Sequence, residues 1–166
     1  MDIRKETIHD ISEIHRITIE AFKVHPVSQH TEQFIINALR KDGALSLSLV
    51  AVVNCEIVGH IAFSPVRIDK CGENWYGLGP VSVIPRMQRR GIGKGMIAKG
   101  FSLIKEMGGH GCVLVGDPRY YKKLGFNNVP ELIYEGIPQE YFLGYSFIGS
   151  FPKGIVKFHN GFTAKE

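Results

Sequence analysis

Ile11, Ile14, Ile17, Ala21 and Phe22 recur at the spacing of one helix face, behind Asp10 as a cap and before Pro26, which ends the pattern. A second helix, opening at Ser28 or Thr31 and running to Lys41, carries Phe34, Ile35, Ala38 and Leu39, with Gly43 as its stop. Ahead of both, Asp2–Arg4 reads as a short strand. The period then drops to two. Leu45, Leu47 and Leu49 alternate with serines and run into Val50–Val53. Asn54-Cys55-Glu56 makes a tight turn, Ile57–Ile68 returns as the partner strand, and a turn at Lys70–Asn74 leads into a strand at Trp75–Val83.

Pro85 closes that strand, and a glycine-rich turn opens a long helix over Gly91–Met107. Its inner face holds Ile92, Met96, Gly100, Leu103, Ile104 and Met107. Cys112–Val115 is wholly apolar, as a central strand covered on both faces would be. Pro118 suits the first turn of a short helix, Arg119–Leu124, stopped by Gly125. Weaker strand signals follow at Leu132–Tyr134, Tyr145–Ile148 and Ile155–Phe158. With no internal repeat or linker, the chain reads as one α/β domain over 1–166.

Composition narrows the class. The 166 residues, 44% of them hydrophobic and 22% charged, can build a core and do not resemble a disordered chain. A formal charge of +4 is mild, but Arg86, Arg89, Arg90, Lys94 and Lys99 crowd one stretch, which points to a phosphate-bearing ligand rather than a long polyanion. The three cysteines, Cys55, Cys71 and Cys112, lack CxxC spacing, so a reducing, cytoplasmic setting is expected. No apolar run is long enough to cross a bilayer. The histidines lack close ligand spacing, so no metal is expected.

The chemistry concentrates in residues 78–95, LGPVSVIPRMQRRGIGKG. A strand feeds a tight turn and then a helix whose first turn is rich in glycine. The first amides of a helix have no internal partner and sit at its positive end, so a diphosphate can be cradled there. Two better-known patterns fail. A Walker A loop would need Ser or Thr at Gly95 and Gly at Gln88; the dinucleotide fingerprint would need Gly at Met96. What remains is Gln-x-x-Gly-x-Gly, as Gln88-Arg89-Arg90-Gly91-Ile92-Gly93.

In this motif, and in Tyr121-Lys122-Lys123-Leu124-Gly125-Phe126 after the next strand, the chain resembles the GNAT superfamily of N-acetyltransferases, closest to its small predicted bacterial-type branch. The resemblance implies a single-domain GNAT-like fold: a mixed central sheet, helices on both faces, and a V-shaped splay between the fourth and fifth main strands, Leu78–Val83 and Cys112–Val115. It implies acetyl-CoA as acyl donor and transfer to a primary amine by direct attack in a ternary complex. Cofactor contacts would fall on Val81, Ser82 and Val83, where an amide binds the acetyl carbonyl, and on Gln88, Arg89, Arg90, Gly91, Ile92, Gly93 and Lys94 around the pyrophosphate. Tyr121 matches the tyrosine that protonates the departing thiolate. The family's usual Asn on the second splayed strand is absent, and Gly116-Asp117 stand in its region.

No carboxylate stands in Val81-Ser82-Val83 to act as the base that many relatives carry there. His60 has a suitable intrinsic pKa, about 6.5, Glu20 lies near the usual acceptor cleft, and a water relay needs neither. Cys112 reads as a core hydrophobe. The aromatic tail (Tyr141, Phe142, Tyr145, Phe147, Phe151, Phe158) lines an acceptor pocket, covers the sheet or forms a dimer face. The acceptor is open, as is monomer against homodimer. Nucleic acid and membrane are not expected partners. The competing class is a CoA-binding regulatory module without catalysis.

Overall fold

The computed structural model of the protein describes residues 1–69 and 73–166. The turn expected at Lys70–Asn74 therefore lies partly outside the described residues, with Glu73 and Asn74 in a turn. The strands are β1 (Asp2–Lys5), β2 (Leu47–Val53), β3 (Glu56–Pro65), β4 (Arg67–Ile68), β5 (Trp75–Val83), β6 (Gly111–Val115), β7 (Leu132–Ile133), β8 (Phe142–Ser146) and β9 (Gly154–Lys157). The helices are α1 (Ile11–Phe22), α2 (Glu32–Lys41), α3 (Ile92–Glu106) and α4 (Pro118–Tyr121). A six-stranded sheet runs β1-β2-β3-β5-β6-β8, and a three-stranded one runs β4-β9-β7. In the larger sheet only β5 and β6 are parallel.

β2 and β3 join through Asn54 and Cys55, both at positive φ (50° and 64°), the two-residue turn whose twist matches paired strands. Both strands are almost wholly buried, which is why their apolar runs exceed simple alternation. Gly59 and Phe63 face α3, while His60 and Ser82 turn toward α1 and α2, so helices cover both faces. The observed α3 stripe is Ile92, Met96, Ile97, Gly100 and Ile104; Met107, expected inside, is 47% exposed beyond the helix end.

Three local expectations change. Asp10 does not cap α1. It sits in a 3-10 turn (Ile8–Asp10), and its carboxylate accepts from the Thr7 amide (2.7 Å), the Thr7 hydroxyl (3.0 Å) and Arg4. The strand expected over Ile57–Ile68 breaks after Pro65, because β4 leaves to pair with β9 in the smaller sheet. The strand near Tyr145 begins earlier, at Phe142, because its register is set by pairing with β6 from Val115↔Phe142 to Gly111↔Ser146. The tail aromatics close the sheet. Phe151 packs on Trp75, Phe142 joins Tyr134 and Phe158 in a second core, and Tyr145 and Phe147 pack on Phe101 of α3.

Gly100 is where α3 meets the sheet most closely. A methyl group there would lie 2.5 Å from Cε2 of Phe63, a side chain with no exposure. Gly100→Ala should cost about 2 kcal/mol through overpacking. Urea unfolding would show a lower midpoint at unchanged slope. Adding Phe63→Leu should recover part of the loss if that contact is the cause.

Candidate acyl-donor site

β5 and β6 pair only at Trp75↔Gly111, Tyr76↔Cys112 and Gly77↔Val113, although both strands continue beyond. A register shift follows directly. Leu78 lies opposite Phe63 and Val81 opposite Ile61, so β5 carries one extra residue around the cis Gly79-Pro80 peptide. Pro80 has no N–H to give a ladder. From here the strands share no ladder, and the gap between their unpaired ends is the slot.

Strand parity decides which groups line the slot. Ile84 donates its amide to the Val58 carbonyl across β3 (3.0 Å). Neighbouring strand residues alternate sides, so Val83, and Val81 before it, direct their amides away from β3 into the slot. Ser82 turns the other way; its hydroxyl meets Thr18 of α1 at 3.4 Å in the core and is fully buried. Of the expected trio, two backbone amides face the slot and one residue does not.

The glycine-rich turn follows. Pro85–Met87 forms a 3-10 turn, and Arg89 (φ 59°) and Gly91 (φ 81°) both take left-handed conformations before α3 starts. Such alternation makes a concave nest of amides, and a non-glycine residue held there stores strain of about 1–3 kcal/mol, as at ligand-binding turns. The Gln88 side chain donates to the Val83 carbonyl (3.0 Å), tying the turn to the slot wall. Gln88 thus braces the loop through its amide side chain. Ile92 buries its side chain and leaves its backbone to the nest. Arg86 is engaged by Glu56, whereas Arg89, Arg90 and Lys94 make no ion pair among the described residues and remain exposed.

The opposite wall is β6 and α4. Asp117 caps α4, accepting from the Arg119 amide (2.9 Å), and its carboxylate also holds the Arg119 guanidinium. The Tyr121 ring lies over Gly116, where a methyl group would come within 2.8 Å of Cδ2, and is flanked by Tyr120 and Phe126 at 4.9 and 5.7 Å between centroids. Burial pushes the Tyr121 phenol well above its ordinary range, with nearby Tyr120 adding to the effect, so it stays protonated. Gly116 has no recognisable motif; its smallness next to an apolar strand was the one available hint.

Both side chains expected as bases are engaged by neighbours. Glu20 forms a surface ion pair with Arg16 (2.7 Å). His60 is fully buried, and its Nε2 lies 2.7 Å from Ser48 Oγ. The Ser48 hydroxyl donates to Glu6, which also accepts two bonds from Arg40 (2.9 and 3.0 Å). Ser48 has one proton to give, so His60 must donate from Nε2, leaving Nδ1 a buried acceptor without a partner among the described residues. Burial holds the imidazole below its usual pKa, outweighing Glu6. This four-residue network joins the segment after β1 to α2, β2 and β3, and nothing in local sequence spacing announces it. Cys112 is buried and its thiol pushed up by that burial, as a core hydrophobe would be. Among the described residues no cluster of three His, Cys, Asp or Glu could hold a metal, and no helix is long and apolar enough to cross a membrane.

A sheet splayed after a bulge, a nest at a helix start and a tyrosine on the far wall define an acetyltransferase (GNAT) domain. The chain belongs to that family, whose model matches residues 2–129. Two solved structures are similar over nearly the whole chain. A GNAT family acetyltransferase from Brucella melitensis, in complex with acetyl-CoA, is 42% identical, covers 97% of both chains and has a TM-score of 0.86. The GNAT family N-acetyltransferase YhbS from Escherichia coli, in complex with CoA, is 25% identical, covers 98% of this chain and 91% of its own, and has a TM-score of 0.88. By sequence, the uncharacterised N-acetyltransferase YhbS of Escherichia coli K12 is 30% identical over 109 residues, and the match covers 65% of each protein.

Proposed function

We propose that this protein is an N-acetyltransferase that moves the acetyl group of acetyl-CoA to a primary amine by direct attack in a ternary complex. The observation that carries it is the pair of amides, Val81 and Val83, turned into a slot where the sheet ladder has ended. The acetyl-CoA and CoA complexes of the two similar structures support the donor. In this reading the nest from Arg89 to Lys94 holds the diphosphate, Gln88 steadies it through Val83, and the arm runs along the slot.

The amine nitrogen attacks the thioester carbonyl, whose oxygen gains charge and is held by the Val83 amide. The C–S bond then breaks. Tyr121 gives its proton to the leaving sulfur and regains one from the ammonium released by attack, directly or through water. With His60 sealed and Glu20 engaged, the amine arrives already neutral or loses its proton to water. Val115 and Tyr141, exposed around the end of β6, offer the acceptor an apolar approach. A reducing cytoplasm suits the free Cys55 and Cys112.

The test is release of free CoA thiol from acetyl-CoA across a library of primary amines, with longer acyl-CoAs for comparison. Thiol release with one amine class, matched by acetylated product, is the expected result. The engagement of both candidate bases by neighbours favours a second reading, a silent CoA-binding module. Tight acetyl-CoA binding without transfer to any amine would establish that one instead.

A further inference from the structure

Tyr120 is the neighbour of the expected acid, yet its hydroxyl reaches the other wall of the slot. A methyl group built on Gly93 would sit 3.0 Å from the Tyr120 oxygen. A side chain on α4 therefore touches the first turn of α3, next to the nest formed by Arg89 and Gly91. The ring is held by its edge-to-face contact with Tyr121 at 4.9 Å, and the residue remains 44% exposed. Among the described residues its hydroxyl makes no hydrogen bond. Of the other polar groups on this turn, Arg119 is folded back onto Asp117 with its side chain 88% exposed, and the Tyr121 ring lies over Gly116 away from the loop. Tyr120 is thus the side chain of this wall that presents a free donor to the loop.

We infer that Tyr120 is a ligand-holding residue: its hydroxyl crosses the mouth of the slot and donates to the diphosphate of CoA seated on the α3 nest. This rests on the acyl-donor site proposed above. The chemistry favours the diphosphate. A phenol is neutral at working pH and donates well to an anionic oxygen, and a hydrogen bond to a charged group is worth more than one between neutral groups. The glycine at position 93 has a matching reason beyond phosphate approach, since any side chain there would drive the hydroxyl away. Bridging both walls, the residue also closes the slot on one side.

Two measurements on Tyr120→Phe, which keeps the ring and its packing, test this. Calorimetric titration with CoA should show a Kd raised about tenfold, the loss of one hydrogen bond to a charged group. In phosphorus NMR of CoA under saturating protein, the diphosphate resonances should move relative to wild type, while the 3′-phosphate resonance stays in place. An unchanged Kd overturns the inference. So does a weakened Kd with unmoved diphosphate resonances, which would put the contact elsewhere on the ligand. Failure of the wild-type protein to bind CoA would instead remove the proposed function itself. The ligand-free unfolding midpoint, expected to match wild type, shows that the fold is intact.

Discussion

Replacing Tyr121 by phenylalanine should lower turnover about a hundredfold while CoA affinity stays within about twofold of wild type. The ring's place is set by packing: it lies on Gly116 between Tyr120 and Phe126, and the phenylalanine ring would lie there too. Only the proton is lost. The raised pKa of the buried phenol makes it a reluctant acid, so in the proposed mechanism its proton would pass to sulfur late, once the C–S bond has largely broken and a thiolate is forming. That fixes the signature. kcat and kcat/KM should fall together, because the interaction exists in the transition state and not in the bound substrate. Equal turnover in the two proteins would take Tyr121 out of the mechanism. Gly116→Ala, by displacing the same ring, should lower turnover without removing the hydroxyl.

Glu6→Gln should destabilise the fold by about 3 kcal/mol at pH 7, in the range for breaking a mostly buried ion pair. Burial opposes the Glu6 charge, but the nearby His60 ring, the bonds from Arg40 and Ser48 and the charge of Arg40 outweigh it and bring the carboxyl down to about 2. Side-chain exposures of 15% for Glu6 and 21% for Arg40 keep solvent screening small. A carboxyl depressed in the fold contributes stability that is complete above its unfolded pKa, about 4.3, and is lost as pH falls toward about 2. His60 adds an acid-side loss at higher pH. Its folded pKa is lowered, so below about 6.5 the unfolded chain takes up a proton that the folded chain refuses. Urea unfolding across pH should therefore show wild-type stability declining below about pH 6.5 and again from about pH 5 toward 2. Glu6→Gln should keep the first decline and make the second shallower, with Asp10, held down by Arg4 and Thr7, still contributing to it. Parallel curves for the two proteins would mean that Glu6 does not contribute to the second decline.

Much of the donor side could be read before the structure. β5 begins and ends where its pattern of apolar residues, Pro85 and the preceding turn place it, at Trp75 and Val83. Gly91 is the left-handed residue that opens α3, and Gly125 the one that ends the turn after α4. These features depend on backbone preferences within a few residues of chain, so composition and period report them directly. Asp10 shows the limit even at short range. Asp is a favoured cap, but the carboxylate had a better partner in Arg4 and in the Thr7 amide.

The likeness of two motifs to one family implied the splay, but its cause lies in pairing: the extra residue at Gly79-Pro80 matters only because β3 stands on one side and β6 on the other. The same holds for the face each residue takes. Val81, Ser82 and Val83 look alike as slot residues until the bond from Ile84 to Val58 fixes their parity and turns Ser82 into the core. Glu6, Arg40, Ser48 and His60 carry no common motif and come from four separate stretches of chain. Tyr120 and Gly93 meet across the slot, and Phe63 requires Gly100, for the same reason. Periodicity records how a residue sits relative to its own helix or strand. Which distant residue it will face is decided only when long-range strand pairing and the burial of apolar surface bring the elements together, and in this protein that step sets the slot's groups, its closing tyrosine and the sealing of its histidine.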